Sequence, residues 1–279
     1  MTRIDAHQHF WFYKADRDTW IDESMSVLKQ NFLPEDLQPL MNEASLGGCV
    51  SVQAGQSEKE THFLLNLANE FEAVRGVVGW VDLRADDLED RLDHFDRFPK
   101  LKGFRHILEE DPDPELITKP EFQEGLRVLG ERGYTYDILI YAHQLEQTVK
   151  AIQDLPEMPL VIDHLAKPDV EAGWIDDWSE WMRKLSDHEH VHCKLSGLVT
   201  EANWADWEAD AFTPYLDVAY EVFGPERLMF GSDWPVCTLA ASYAEVVDLI
   251  ETYVSDRPEA EQNRVFGETA AEFYDLDVS

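Results

Sequence analysis

The segment RIDAHQHFWFY, residues 3–13, carries an apolar run into two histidines one residue apart. Side chains alternate across a strand, so His7 and His9 project to the same side, with Cα atoms about 6.5–7 Å apart. Two imidazoles so placed converge on one small target: a divalent metal, a reacting carbonyl, or their own hydrogen bonds. No G-x-G-x-x-G turn follows the run, which weakens a dinucleotide-binding reading of the opening unit.

Seven further short apolar runs lie downstream, at 48–53, 77–83, 101–106, 136–141, 160–164, 191–196 and 227–233. Between them stand segments with a 3.6-residue apolar period and acidic outer faces, at 34–46, 57–73, 86–97, 120–132, 143–154, 174–187 and 208–223, then 239–254 and 259–273. Eight alternating strand and helix units within 279 residues, without a repeat or a Gly/Ser linker, predict an α/β protein with one closed (β/α)8 TIM barrel spanning 1–279.

In that fold the active site sits where the strands' C-terminal ends meet. Polar residues gather there in this sequence: His7 and His9, Gln53, Asp82, Arg105 and His106, Tyr141 and His143, His164, Lys194 and Ser196, and Asp233. Two or three imidazoles with one carboxylate suit a catalytic zinc-like ion, and His7, His9, His164 and Asp233 are the candidate ligands. Zinc is the first choice for such an ion.

Composition bounds the partners. The chain holds 57 Asp plus Glu against 23 Lys plus Arg, a formal charge of −34, so nucleic acid and anionic membranes are not expected to bind. The acidic excess is spread over helix faces, as in a halophile's cytoplasmic protein; an acidic mesophile protein is the alternative. No run is long and apolar enough for a membrane span, and residues 1–7 lack a secretory apolar segment, so a cytoplasmic location is expected. Cys49, Cys193 and Cys237 have no C-x-x-C spacing and are expected to be reduced and buried. A homo-oligomer is compatible with the sequence.

The segments DAHQHFW, GWVDL, KGFRH, VIDHLAKP, CKLSGL and FGSDWPVC, in this order over nearly the whole chain, resemble the amidohydrolase superfamily. The likeness is to the lactonase branch of its amidohydrolase 2 type, which includes fuconolactone, rhamnonolactone and pyrone-dicarboxylate lactone hydrolases. The resemblance implies a hydrolase in which Asp233 activates water while His7, His9 and His164 face the reacting group. Strand four ends in Arg105 and His106, without the lysine that bridges two metals in the binuclear members, so the resemblance implies zero or one divalent ion and not a two-metal centre.

Lactone opening requires a base for water, which Asp233 would be, returning the proton to the ring oxygen. It also requires a positive partner for the carbonyl oxygen, supplied by a metal or by the imidazoles, with His164 catalytic in either case. Arg105, His106, Tyr141, His143, Lys194, Trp80 and Trp234 are the expected substrate contacts. Arg105 could instead pair with an acid, Tyr141 could be a core residue, Lys194 could sit in a structural ion pair, and the tryptophans could fill the barrel rim. The expected substrate is a neutral sugar lactone. A pyrone-dicarboxylate lactonase, a metal-dependent decarboxylase of the same superfamily and a non-catalytic binding barrel are the alternatives.

Overall fold

Strands form where β-branched and apolar residues run together. In the computed structural model, which describes residues 2–278, these are β1 (Ile4–Gln8), β2 (Gly48–Val52), β3 (Val74–Gly79), β4 (Leu101–Ile107), β5 (Thr135–Leu139), β6 (Leu160–Ile162), β7 (Val191–Leu195) and β8 (Leu228–Phe230). They lie parallel and pair in chain order. The ring closes just beyond β8: the Asp233 N–H donates to the His7 carbonyl at 2.8 Å and the His9 N–H to the Trp234 carbonyl at 2.7 Å.

Helices α1 (Pro34–Glu43), α2 (Glu58–Glu70), α3 (Leu88–Phe95), α4 (Pro120–Glu131), α5 (Leu145–Gln153), α6 (Asp176–Ser186), α7 (Thr213–Phe223) and α8 (Tyr243–Val254) each follow one strand. Their starts are written locally. The Ser57 hydroxyl accepts the Glu60 N–H at the head of α2, and Ser242 with Glu245 forms a capping box at the head of α8. The result is a (β/α)8 TIM barrel.

Two expectations shift. The third strand starts at Val74 and stops at Gly79, because the Trp80 N–H turns to the Thr61 hydroxyl at 2.8 Å and leaves the ladder. The continuous helix expected over 259–273 is broken into α9 (Glu259–Asn263), a π turn (Arg264–Glu268) and α10 (Thr269–Phe273). At the break a Cβ on Gly267 would stand 2.6 Å from the Thr2 carbonyl oxygen, so only glycine lets the two backbones approach this closely.

Inside the ring, Ile4, Ala6, Val50, Val52, Val78, Val161 and Met229 pack as one cluster, with Tyr274 and Leu276 beyond α10. The tail after α10 seals the strands' N-terminal ends, where the Lys102 ammonium donates to the Asp275 carbonyl. That leaves the C-terminal ends for the site. All three cysteines are free and buried. Among the described residues no helix is long and apolar enough to cross a membrane.

Candidate active site

The ladder between β1 and β2 changes register between Asp5 and Gln8, and the Asp5 carboxylate accepts the His7 N–H at 3.1 Å. This bulge brings His7, next to inward-facing Ala6, into the barrel as well. His7 and His9 then converge as their spacing predicts, with Nε2 atoms 3.2 Å apart. His164 comes from the turn after β6 and Asp233 from the turn after β8.

Both turns are unusual backbone. His164, Leu165, Ala166 and Lys167 take positive φ values of 52°, 53°, 56° and 47°, and Asp233 takes 57°. A left-handed conformation costs an L residue roughly 1–2 kcal/mol, so the surrounding packing must hold these turns in place. The Lys167 N–H donates to the His164 carbonyl at 2.8 Å, and the Trp178 indole to the Leu165 carbonyl at 2.7 Å. One turn of this kind aims His164 and Lys167 at the same cavity. Gly197 makes room for it: a Cβ there would stand 2.5 Å from His164 Nδ1.

The Asp233 carboxylate faces all three imidazoles. Its Oδ1 lies 3.3 Å from His9 Nε2, 3.8 Å from His164 Nε2 and 3.9 Å from His7 Nε2. His9 Nδ1 must donate to the Val52 carbonyl at 2.8 Å, so a neutral His9 turns a lone pair towards a carboxylate. Two lone pairs at that distance call for a cation between them, a proton or a metal. The spacings of 3.2–3.9 Å are close to the ligand separations of about 3.3 Å that tetrahedral zinc bonds of about 2.0–2.1 Å produce. Of these residues, His7, His164 and Asp233 form a group that fits one ion, with His9 beside it. His164 is also anchored through Nδ1 to the Ser196 hydroxyl at 2.8 Å. Burial pushes the His164 pKa down to about 4 and His7 well below its ordinary value. Burial also works to raise Asp233, but His164 and His9 outweigh it and hold the carboxyl below its usual range.

Beneath these groups lies a dry charge network. Lys194 is fully buried, its ammonium 2.5 Å from Asp137, 2.9 Å from Asp163 and 3.0 Å from His7 Nδ1. Asp163 also holds Arg105 at 2.9 Å, and the Tyr274 hydroxyl donates to Asp137. His7, Asp137 and Asp163 could by themselves cradle a second metal, but the Lys194 ammonium already supplies the cation there.

The expected substrate contacts separate into two groups. Arg105 and Tyr141, with His9, His164 and Asp233, line a cavity of about 330 Å³ at the barrel mouth. Lys194 lies below it, in the ion-pair role. His106 also turns away: it neighbours Arg105 on β4, so alternation sends it to the outer face, against Trp80, Asp111 and Phe122. Trp80 goes with it. Trp234 packs edge-on against Phe10 and Phe32 at the rim, and His143 stacks on Tyr141 in an adjoining cleft. Asp82 binds its own loop at Arg84.

The cavity wall holds residues that strand-end reasoning passed over, among them Glu109, Lys167, Glu201, Trp20 and Trp204. They come from loops and carry no periodic signal. Asp137 and Asp163 did carry one, as charges inside otherwise apolar strand runs, which is a sign of buried pairing.

The amidohydrolase family model matches residues 4–276. An L-fucono-1,5-lactonase of Burkholderia multivorans is 42% identical over 98% of this chain and 96% of its own. Another, of Burkholderia ambifaria, is 34% identical over 99% and 96%. A crystal structure of a Burkholderia multivorans amidohydrolase with bound zinc superposes with a TM-score of 0.96 at 41% identity, covering 99% of this chain and all of that one. With the barrel, the converging imidazoles and the strand-eight aspartate in place, these matches show that the chain belongs to the amidohydrolase family.

Proposed function

We propose that this protein hydrolyses the lactone of a sugar acid, a 1,5-lactone of a six-carbon or deoxy aldonic acid being the preferred substrate. The observation that carries this reading is the Asp233 carboxylate facing three imidazoles beside a cavity of about 330 Å³ at the barrel mouth. The two Burkholderia relatives named L-fucono-1,5-lactonase support it.

In this reading Asp233 accepts a proton from water as the water attacks the lactone carbonyl. His9 and His164 stand 3.3 and 3.8 Å from the carboxylate, and the Arg105 guanidinium, 3.3 Å from His7 Nε2, brings positive charge to the same cavity. A divalent ion held by His7, His9, His164 and Asp233 would polarise the carbonyl. Lys194 and Arg105 already flank His7 with positive charge, so one ion is the most the site should take. Metal analysis after extensive dialysis is expected to find no more than one per chain, and two would overturn this assignment.

Charge in the cavity speaks for a neutral ring. Arg105 is tied to Asp163, and Lys167 is tied to Glu109 at 2.6 Å. Glu109, Glu110 and Glu201 add carboxyls to the wall. Among the described residues of the wall no free guanidinium fork is left for a second carboxylate, and a chain charge of −34 repels dianions, though salt screens that field. Fucono-, rhamnono- and galactono-type lactones are expected to give higher kcat/KM than a pyrone dicarboxylate. A higher value for the dicarboxylate would sink the reading, as would turnover of none of the sugar lactones.

A further inference from the structure

We propose that Glu201 is the catalytic acid that protonates the ring oxygen as the lactone opens, leaving Asp233 to act on water. The inference rests on the lactonase reading and names a second catalytic group within it.

Glu201 ends the short turn Val199–Glu201 that follows β7, so it enters the cavity from the strand next to the one that carries Asp233. Both residues line the same cavity of about 330 Å³, so one small ring bound there is within the reach of a wall that carries both carboxyls. The two cations of the wall are engaged, Arg105 with Asp163 and Lys167 with Glu109. Among the described residues the Glu201 carboxyl has no hydrogen-bond or ion-pair partner closer than the ordinary limits. A half-buried, cavity-lining carboxyl without a partner is available to a ligand.

Its surroundings poise it differently from Asp233. Burial pushes Glu201 up to about 7; Lys167, on the turn after β6, opposes this, while Glu109, Asp233 and Asp169 add to it. Tyr141, on the wall after β5, and Arg105, Glu110, His9, His164 and Thr200 are the other polar groups of the cavity. Asp233 is shifted the other way. Two carboxyls of one site held apart in this manner divide naturally into a base and an acid.

The proton count closes. Asp233 takes a proton from water as the new bond to the carbonyl carbon forms and the carbonyl electron pair moves to oxygen. When that pair returns, the bond from the carbonyl carbon to the ring oxygen breaks, and the ring oxygen takes the Glu201 proton. The turnover ends with Asp233 protonated and Glu201 ionised, and proton transfer through solvent restores both. The hydroxy acid releases its own proton to water.

The test is Glu201→Gln, with circular dichroism to check folding and Glu201→Asp as the conservative control, assayed on three lactones. On a sugar lactone and on hydroxyl-free δ-valerolactone, both of which expel an alkoxide, kcat should fall by about 100-fold or more. On dihydrocoumarin, whose phenoxide leaves without help, it should fall by less than about tenfold. Wild-type kcat/KM on the sugar lactone should decline as pH rises through about 7, where Glu201 loses its proton. The Gln variant should lack that limb and the Asp variant should keep one. A residue that only reads sugar hydroxyls would leave both hydroxyl-free lactones unaffected and raise KM on the sugar lactone, which would overturn the proposal. So would equal losses on all three lactones, or an unchanged basic limb; if the hydroxyl-free lactones are not turned over, the limb decides. Wild-type turnover of the sugar lactone combined with a fully active Gln variant refutes the acid role alone, whereas no turnover by wild type refutes the lactonase reading.

Discussion

Asp233→Asn is expected to lower kcat for sugar-lactone hydrolysis about 10²- to 10⁴-fold, the range for loss of a general base, with the fold intact. The amide nearly matches the carboxylate in shape and keeps the backbone N–H bond to the His7 carbonyl that closes the barrel. What it loses is the capacity to accept water's proton. It also loses the negative charge towards which the three imidazole Nε2 atoms converge within 3.3–3.9 Å. The loss should appear in kcat rather than KM, because the proton is transferred only as the transition state forms. A purified, folded variant that keeps more than about a tenth of the wild-type rate would mean that another group is the base.

The barrel was legible in the sequence because parallel strands buried on both faces read as continuous apolar runs, and these runs were regularly spaced. Their ends were less legible. The run after Val74 continues through Trp80 and Val81 beyond the strand, since apolar residues also cover the rim, and only the hydrogen bond from Trp80 to Thr61 marks where pairing stops. Strand position placed His7, His9, His164 and Asp233 at one end of the barrel, while the bulge and the left-handed turns that aim three of them left no trace in the sequence. Side-chain direction was the finer difficulty. Arg105 and His106 are adjacent, so only one could face the cavity, and the sequence does not say which. Lys167 and Glu201 were invisible for another reason: left-handed turns and short loops that carry a side chain into a cavity leave no periodic trace. Asp137, Asp163 and Lys194 were readable in principle as charges within apolar strands, but their mutual pairing needed the closed barrel.

That buried network sets the second large effect. Lys194→Met should destabilise the protein by about 3–5 kcal/mol at pH 7.5, the range for removing one partner of a buried ion pair. Methionine fills much of the lysine's volume, so the loss comes mainly from charge. Without the ammonium, Asp137 keeps only the Tyr274 hydroxyl and Asp163 keeps Arg105. Burial already pushes Asp137 up to about 6, with Lys194 the main opposing influence, so removing Lys194 drives that carboxyl higher still. An acid whose folded pKa exceeds its unfolded value binds more protons when folded, and its contribution to stability therefore falls as pH rises between the two values. The gap between variant and wild type should narrow on acidification, as Asp137 neutralises itself. Adding Asp137→Asn to Lys194→Met removes the stranded charge and should recover at least half of the loss. Urea unfolding of the single and double variants across this pH range measures all three effects. A single-variant loss below about 1 kcal/mol, the value of an exposed pair, would show that Lys194 and Asp137 do not form the tight pair that anchors His7 from below.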